Sequence, residues 1–299
     1  MKHLPERLAT IGFGEAAEAF SSGWRETYHG GIACFDVKVS QPEGRAGLEA
    51  RASGSGVTTA ETAAEAVAGA PVIFSLVTAD QALIAAQECA PYLGSGVLWF
   101  DCNSCSPGTK RQAAQTIEAA GGVYVDVAVM APVHPKRHQT PLLVSGPQTG
   151  AAVDVLEALG MKPVLAGDTV GQASSIKMFR SVMIKGLEAL TGECLLAARR
   201  AGVERDVLAS LQASDPGFDW TARCAYSLER MMIHGERRAA EMREVSRTIA
   251  ELELPSRMSD AITEWQAQIA ELQLDGGTAD LGDRADRILN ALSADTAMP

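Results

Sequence analysis

Short apolar runs alternate with stretches of helical period over the first half of the chain. Leu8–Ile11 reads as a strand, followed by Gly12-Phe13-Gly14 and a helix from about Glu15 to Ser22. Ile32–Phe35 reads as a second strand, ending at Asp36. Val37–Gly56 is polar and glycine-rich, the pattern of a loop or a weak strand. Thr58-Thr59-Ala60-Glu61 has the form of a capping box opening an alanine-rich helix, with Gly69 to stop it. Val72–Val77, Val97–Phe100 and Val123–Ala128 read as strands, separated by helices over Asp80–Ala90 and Pro107–Ala120. Leu142–Ser145 and Pro163–Ala166 flank a further helix near Thr149–Leu159. Such alternation predicts an α/β fold with a doubly wound, largely parallel sheet. Past Asp168 the pattern changes. One helical stretch runs from Gly171 to about Arg200, and the remainder reads as helices with polar connections. The expected division is an α/β domain over 1–168 and an all-α domain over 169–299.

Composition narrows the function classes. The 299 residues carry 26 Lys plus Arg against 37 Asp plus Glu, a net charge of −11. That balance argues against nucleic acid as a partner, because backbone recognition neutralises phosphates with cations. It argues equally against a polybasic membrane-surface protein. No run reaches the roughly 18 continuous apolar residues of a spanning helix, and the first residues lack a signal-peptide pattern. The aromatic content is low (Phe 7, Trp 4, Tyr 4), so the core is expected to be close-packed small aliphatics. Six scattered cysteines are too sparse for a disulfide scaffold, and a reduced, cytoplasmic protein is the expectation.

The strongest local motif is Gly12-Phe13-Gly14-Glu15-Ala16-Ala17, a G-x-G-x-x-A between a strand and a helix. Gly12 permits a tight turn, Gly14 lets backbone approach a pyrophosphate, and Ala17 lets the helix sit close on the sheet. The phosphates would lie at the helix N-terminus, where N–H groups and the dipole favour an anion. Asp36 at the end of the next strand would bond the adenosine ribose hydroxyls and repel a 2′-phosphate. NAD is therefore expected over NADP, although Lys38 is a nearby cation that would tolerate the extra phosphate.

Taken with the change to helices, the chain resembles the β-hydroxyacid dehydrogenases. That superfamily includes 3-hydroxyisobutyrate dehydrogenase, 6-phosphogluconate dehydrogenase and the imine reductases. Four segments carry the resemblance. They are the glycine turn; Asp101-Cys102-Asn103-Ser104-Cys105-Ser106-Pro107, similar to the family's D-x-S-T-x-x-P loop; Asp126-Val127-Ala128-Val129-Met130-Ala131-Pro132, at the place of its D-A-P-V-S-G-G substrate loop; and Gly171-Gln172-Ala173-Ser174-Ser175-Ile176-Lys177, at the place of G-x-G-x-x-x-K. The resemblance implies a Rossmann-like domain followed by a helical domain of the 6-phosphogluconate dehydrogenase type. It implies an oxidoreductase with Lys177 as the catalytic acid/base, and a homodimer in which the helical domain of one subunit closes the other's cleft. A lysine near a cationic nicotinamide is favoured in its neutral, proton-accepting form. Imine reductases usually carry Asp or Tyr in its place, so Lys177 favours alcohol or hydroxy-acid oxidation. NAD is expected across Gly12, Phe13, Gly14, Glu15 and Ala16, with Asp36 at the ribose and Thr78, Asn103 and Ser104 on the nicotinamide side.

Several positions depart from the family pattern. Ser181 stands where an Asn usually follows the lysine by one turn, facing the same side, and Arg180 is an alternative anion partner. Met130-Ala131-Pro132 replaces S-G-G, and Pro132 has no N–H to offer a carboxylate. A substrate bulkier than 3-hydroxyisobutyrate is expected there. The K-D-L helix motif is absent. The segment His234-Gly235-Glu236-Arg237-Arg238 instead resembles a subgroup with a distinct C-terminal helical domain. His234 and Arg238 are either an exposed i,i+4 pair or a clamp for a substrate anion. Cys102-x-x-Cys105 has redox or zinc spacing, but a zinc site needs about four ligands and no second cysteine pair follows; no metal is expected. Imine or keto reduction, and a non-catalytic dinucleotide-binding protein, remain the alternative readings.

Overall fold

Residues 4–295 are described by the structure, a computed structural model. Eight strands form one sheet: β1 (Arg7–Ile11), β2 (Gly31–Phe35), β3 (Thr58–Thr59), β4 (Val72–Ser75), β5 (Leu98–Asp101), β6 (Val123–Val129), β7 (Pro141–Ser145) and β8 (Lys162–Gly167). Their order is β3-β2-β1-β4-β5-β6-β7-β8. Every pairing is parallel except β6 with β7. The winding direction reverses between β1 and β4, which opens a crevice at their carboxyl ends. Strand β4 is buried throughout and β1 beyond its first residue, as expected of strands covered on both faces. Phe74 of β4 packs between Trp24, at 4.6 Å, and Phe100, at 4.8 Å between ring centroids. Each such burial contributes roughly 2 kcal/mol.

The helices between strands are α1 (Glu15–Trp24), α2 (Pro42–Gly54), α3 (Ala63–Val67), α4 (Ala82–Cys89), α5 (Pro107–Ala119) and α6 (Thr149–Ala158). Helix α2 corrects the expectation of a loop over Val37–Gly56. It starts with Pro42 in its first turn and buries only Leu48 and Ala52, so its apolar period is too short to read. The capping box is also displaced. Thr58–Thr59 pairs with β2, and Thr62 caps α3 by accepting from Glu65 N at 3.1 Å. The T-x-x-E pattern occurs twice, four residues apart, and the second copy is the cap.

The chain separates into two units, Met1–Lys177 and Met178–Pro299. This division comes later than the Asp168–Gly171 junction expected from the sequence. The first turn of α7 (Gln172–Arg200) is hydrogen-bonded to the sheet and so belongs with it. The second unit holds α8 (Glu204–Ser214), α9 (Trp220–Glu251), α10 (Arg257–Glu271) and α11 (Leu281–Asp295). Leu228 and Met231 of α9 pack with Leu195 of α7, Ile269 of α10 and Ile288 of α11. Met242 and Val245 form a second cluster with Met178 and Ile262. Among the described residues no helix is long and apolar enough to cross a membrane.

His138 lies buried in a short 3-10 turn, Arg137–Gln139. It fills the space a side chain on Gly23 of α1 would take, and its Nδ1 has no hydrogen-bond partner. Burial, reinforced by Arg137 and Lys162 against Glu26, holds His138 below the ordinary imidazole value of 6.5. A histidine held neutral only when folded makes the unfolded chain the better proton acceptor, so stability is lost as pH falls below 6.5. In urea unfolding at pH 7.5 and 5.5, His138→Gln is expected to lose less stability between the two than wild type.

Candidate functional site

The turn after β1 sits at the crevice between β1 and β4. Gly12 adopts φ +85°, and a Cβ there would lie 2.4 Å from the Leu76 carbonyl oxygen. Its N–H donates to Phe35 O at 2.8 Å. The Phe13 side chain is buried, and its N–H donates to Asp36 Oδ2 at 2.9 Å. Asp36 Oδ1 accepts from Lys38 N at 3.0 Å. The Asp36 carboxylate thus clasps the glycine turn to the end of β2 while each oxygen keeps a second lone pair. Gly14 caps α1 with no side-chain hydrogen bond, and a Cβ on it would meet nothing within 4 Å. Glu15 is exposed, Ala16 half-buried and Ala17 buried. The first turn of α1 therefore presents its N–H groups and positive dipole end to open space, an arrangement that fits a pyrophosphate.

The loops after β4 and β5 form the neighbouring wall. Asn103 is buried and braces both: its Oδ1 accepts from Val77 N at 2.7 Å, and its Nδ2 donates to Ser75 Oγ at 2.9 Å. The side chain expected to touch a cofactor is engaged with the scaffold. Thr78 caps the 3-10 turn Ala79–Gln81. Gln81 and then Thr78 donate to Asp80 and hold its carboxyl below the usual range. Half-buried Ser104 accepts a hydrogen bond from Lys177 Nζ at 2.6 Å. Within the first unit, then, the predicted catalytic lysine and the loop similar to D-x-S-T-x-x-P are in direct contact.

Beneath this contact lies a group the sequence reading missed. Lys110 is fully buried, with Nζ donating to Asp101 Oδ1 at 2.9 Å and to Asp101 O at 2.6 Å, and lying 3.3 Å from Asp126 Oδ1. Tyr124 donates its hydroxyl to Asp101 Oδ2 at 2.7 Å. Burial acts to lower the Lys110 pKa, but Asp101 and Asp126 outweigh it and the net shift is upward, so the side chain stays an ammonium. Burial, then the same two carboxylates, pushes Tyr124 well up. A signal existed: Lys110 stands among Pro107, Ala113, Ala114 and Ile117 on the apolar face of α5. Burial also pushes Cys102 up to about 12, so it remains a thiol.

Met130 is half-buried and gives its N–H to Pro141 O at 2.9 Å, while Ala131 and Pro132 are exposed. The remaining predicted residues belong to the second unit. Arg180 is exposed; Ser181 is buried and accepts from Lys185 Nζ at 3.1 Å, with Lys185 also paired to Glu241 at 2.9 Å. His234 is half-buried, and burial with Arg230, Arg237 and Arg238 lowers its pKa. Arg238 corrects the exposed-pair expectation, because it is buried and its guanidinium holds Glu188 at 2.9 Å. Glu188 also accepts from Gln266 at 3.3 Å, and burial raises its pKa against the pull of Arg238 and Lys185. Arg238 shares its face of α9 with Met231 and Met242, which is why it points inward. Its charge is already answered, which also weakens the reading of an anion clamp.

Residues 32–167 match the family model of the NAD binding domain of 6-phosphogluconate dehydrogenase, and residues 198–269 match a domain of unknown function, DUF1932. The chain is similar to a conserved hypothetical protein from Sinorhizobium meliloti, 38% identical, with 95% of this chain and 96% of that one covered at a TM-score of 0.78. It is 31% identical to a conserved protein of unknown function that is structurally similar to 3-hydroxyacid dehydrogenases, covering 91% of this chain and 100% of that one at a TM-score of 0.71. The 3-hydroxyisobutyrate dehydrogenase of Mycobacterium tuberculosis, solved with L-serine, shares the fold at 17% identity and a TM-score of 0.75, with coverage of 95% and 98%.

Two glycine substitutions separate folding from binding. Gly14→Val, which enters open space, is expected to keep the thermal midpoint and weaken NADH binding about tenfold or more in a fluorescence titration. Gly12→Ala is expected to lower both, because its Cβ collides with backbone.

Proposed function

Because this chain belongs to the 3-hydroxyisobutyrate dehydrogenase-like family of the 6-phosphogluconate dehydrogenase superfamily, we propose that it is an NAD-dependent dehydrogenase. Its substrate is an alcohol or hydroxy acid bulkier than 3-hydroxyisobutyrate, and Lys177 is the general acid/base. The observation that carries this reading is the 2.6 Å contact of Lys177 Nζ with Ser104 Oγ, in the same unit as the glycine turn. The open N-terminus of α1 suits the cofactor pyrophosphate, and the Asp36 carboxylate suits the two hydroxyls of an unphosphorylated ribose. When bound, the nicotinamide supplies the hydride acceptor. Lys177 takes the proton of the substrate hydroxyl on Nζ as the carbonyl forms, and returns it in the reverse direction. Ser104 accepts one N–H of the lysine and so fixes the direction of the remaining lone pair or proton. The preference for bulk rests on the substrate loop. Pro132 has no N–H and that of Met130 is committed to Pro141, so this loop has less to offer a small carboxylate.

The test is a panel of hydroxy acids and aryl alcohols followed at the nicotinamide absorbance. NAD is expected to give a higher kcat/KM than NADP. Lys177→Met is expected to lower kcat/KM roughly 100-fold or more while NADH still binds. Turnover of cyclic imines that survives Lys177→Met would move the protein to the imine reductases, and binding without any turnover would make it a non-catalytic binder.

The protein acts as a homodimer on this reading. Phe179, Met183, Leu187 and Leu190 recur every three or four residues along α7 and are 41%, 64%, 40% and 63% exposed. That stripe is the pattern of a helix face that meets another helix. Met183→Glu combined with Leu187→Glu is expected to shift the light-scattering mass from dimer to monomer.

A further inference from the structure

A row of buried polar side chains crosses four adjacent strands, at the last residues of β4, β5 and the antiparallel β7 and at the middle of β6. Ser75 of β4 is level with Asp101 of β5, Asp101 with Asp126 of β6, and Asp126 with Ser145 of β7. All four are 0% exposed. Asn103 ties Ser75 to the loop of Ser104, and Lys110 bridges Asp101 and Asp126. At the far end the row meets the first turn of α7. Asp126 Oδ2 accepts from Gly171 N, Ser174 N, Ser174 Oγ and Ser145 Oγ, each at 3.1 Å. Ser145 Oγ in turn accepts from Ala173 N at 3.0 Å.

Of the N–H groups that open α7, that of Gln172 bonds Thr169 O at 3.3 Å, while those of Ala173 and Ser174 are capped from inside the sheet. The charges agree with this. Two carboxylates and one ammonium leave one buried negative charge, and the positive end of the α7 dipole lies against it. Lys177 follows Ser174 by one turn of the same helix. The network thus holds both partners of the Lys177–Ser104 contact, one through Asn103 and the other through Asp126.

We propose that Asp126 is a positioning residue for Lys177: by capping α7 through Ser174 it sets the lysine Nζ on Ser104 Oγ. This rests on the reading of Lys177 as the acid/base, and goes beyond it in assigning how that lysine is aimed. Without the cap the first turn loosens and the amine leaves the serine.

The experiment is competitive acylation of the full-length protein with limiting acetic anhydride, without cofactor or substrate. Mass spectrometry of the peptides compares Lys177 with exposed Lys136 as internal standard. In Asp126→Asn the Lys177 rate relative to Lys136 is expected to rise threefold or more. In Ser174→Ala, the milder change, it should rise about twofold with a cooperative thermal transition retained. Ser174→Thr keeps the hydroxyl and is expected to restore the wild-type rate. An unchanged Lys177 rate in Ser174→Ala overturns the proposal, as does an equal rise at Lys136 or a failure of Ser174→Thr to rescue. Labelling needs no turnover. If labelling is unchanged while Lys177→Met has lost activity, the role of Asp126 is removed and the dehydrogenase reading stands.

Discussion

A fully buried lysine between two fully buried carboxylates is the constraint around which the first unit is arranged. Removing an ion from water costs several kcal/mol even after relaxation, and an incomplete pair is worse than none. Lys110 avoids that cost only if Asp101 and Asp126 arrive side by side, which requires β5 and β6 to pair in one register. A slip of one residue would turn one carboxylate to the opposite face and strand the ammonium. The surplus negative charge then needs a positive group, and the start of α7 supplies it. The same electrostatic demand therefore fixes strand register, the entry of the long helix and the placement of Lys177 against Ser104.

Anion binding by an acidic chain follows the same logic. A net charge of −11 creates an unfavourable field for a dinucleotide. Close to the crevice, however, the N-terminus of α1 is the nearer charge, and screening leaves the distant carboxylates with less influence. Asp36 is an acid on the cofactor side, and its two backbone hydrogen bonds show that it organises the turn as much as it would read a ribose.

The helical unit solves burial of charge differently. Arg238, Glu188 and Gln266 join α9, α7 and α10 among their buried residues. Such a triad contributes little net stability, because desolvation offsets most of the attraction. It does specify which helix faces meet, since any other rotation would leave one charge buried alone.

Some of this was legible along the chain. Apolar runs marked every strand but the two-residue β3, because a strand covered on both faces must be apolar throughout, whereas Thr58–Thr59 carries no such run. The glycine turn was legible because only glycine accepts φ +85° under the Leu76 carbonyl, and the position of Lys177 was legible from its motif. Helix α2 was not, because two buried residues make no period. The apolar faces of α5 and α9 marked Lys110 and Arg238 as inward-facing without naming their partners, and the capping of α7 by Asp126 could not be read. Those partners lie from 9 to 50 positions away in sequence. Local pattern records which side of an element faces inward. Which charge waits there is decided only when the elements pack, because in a low-dielectric interior the partner, not the residue itself, determines whether a charge can stay.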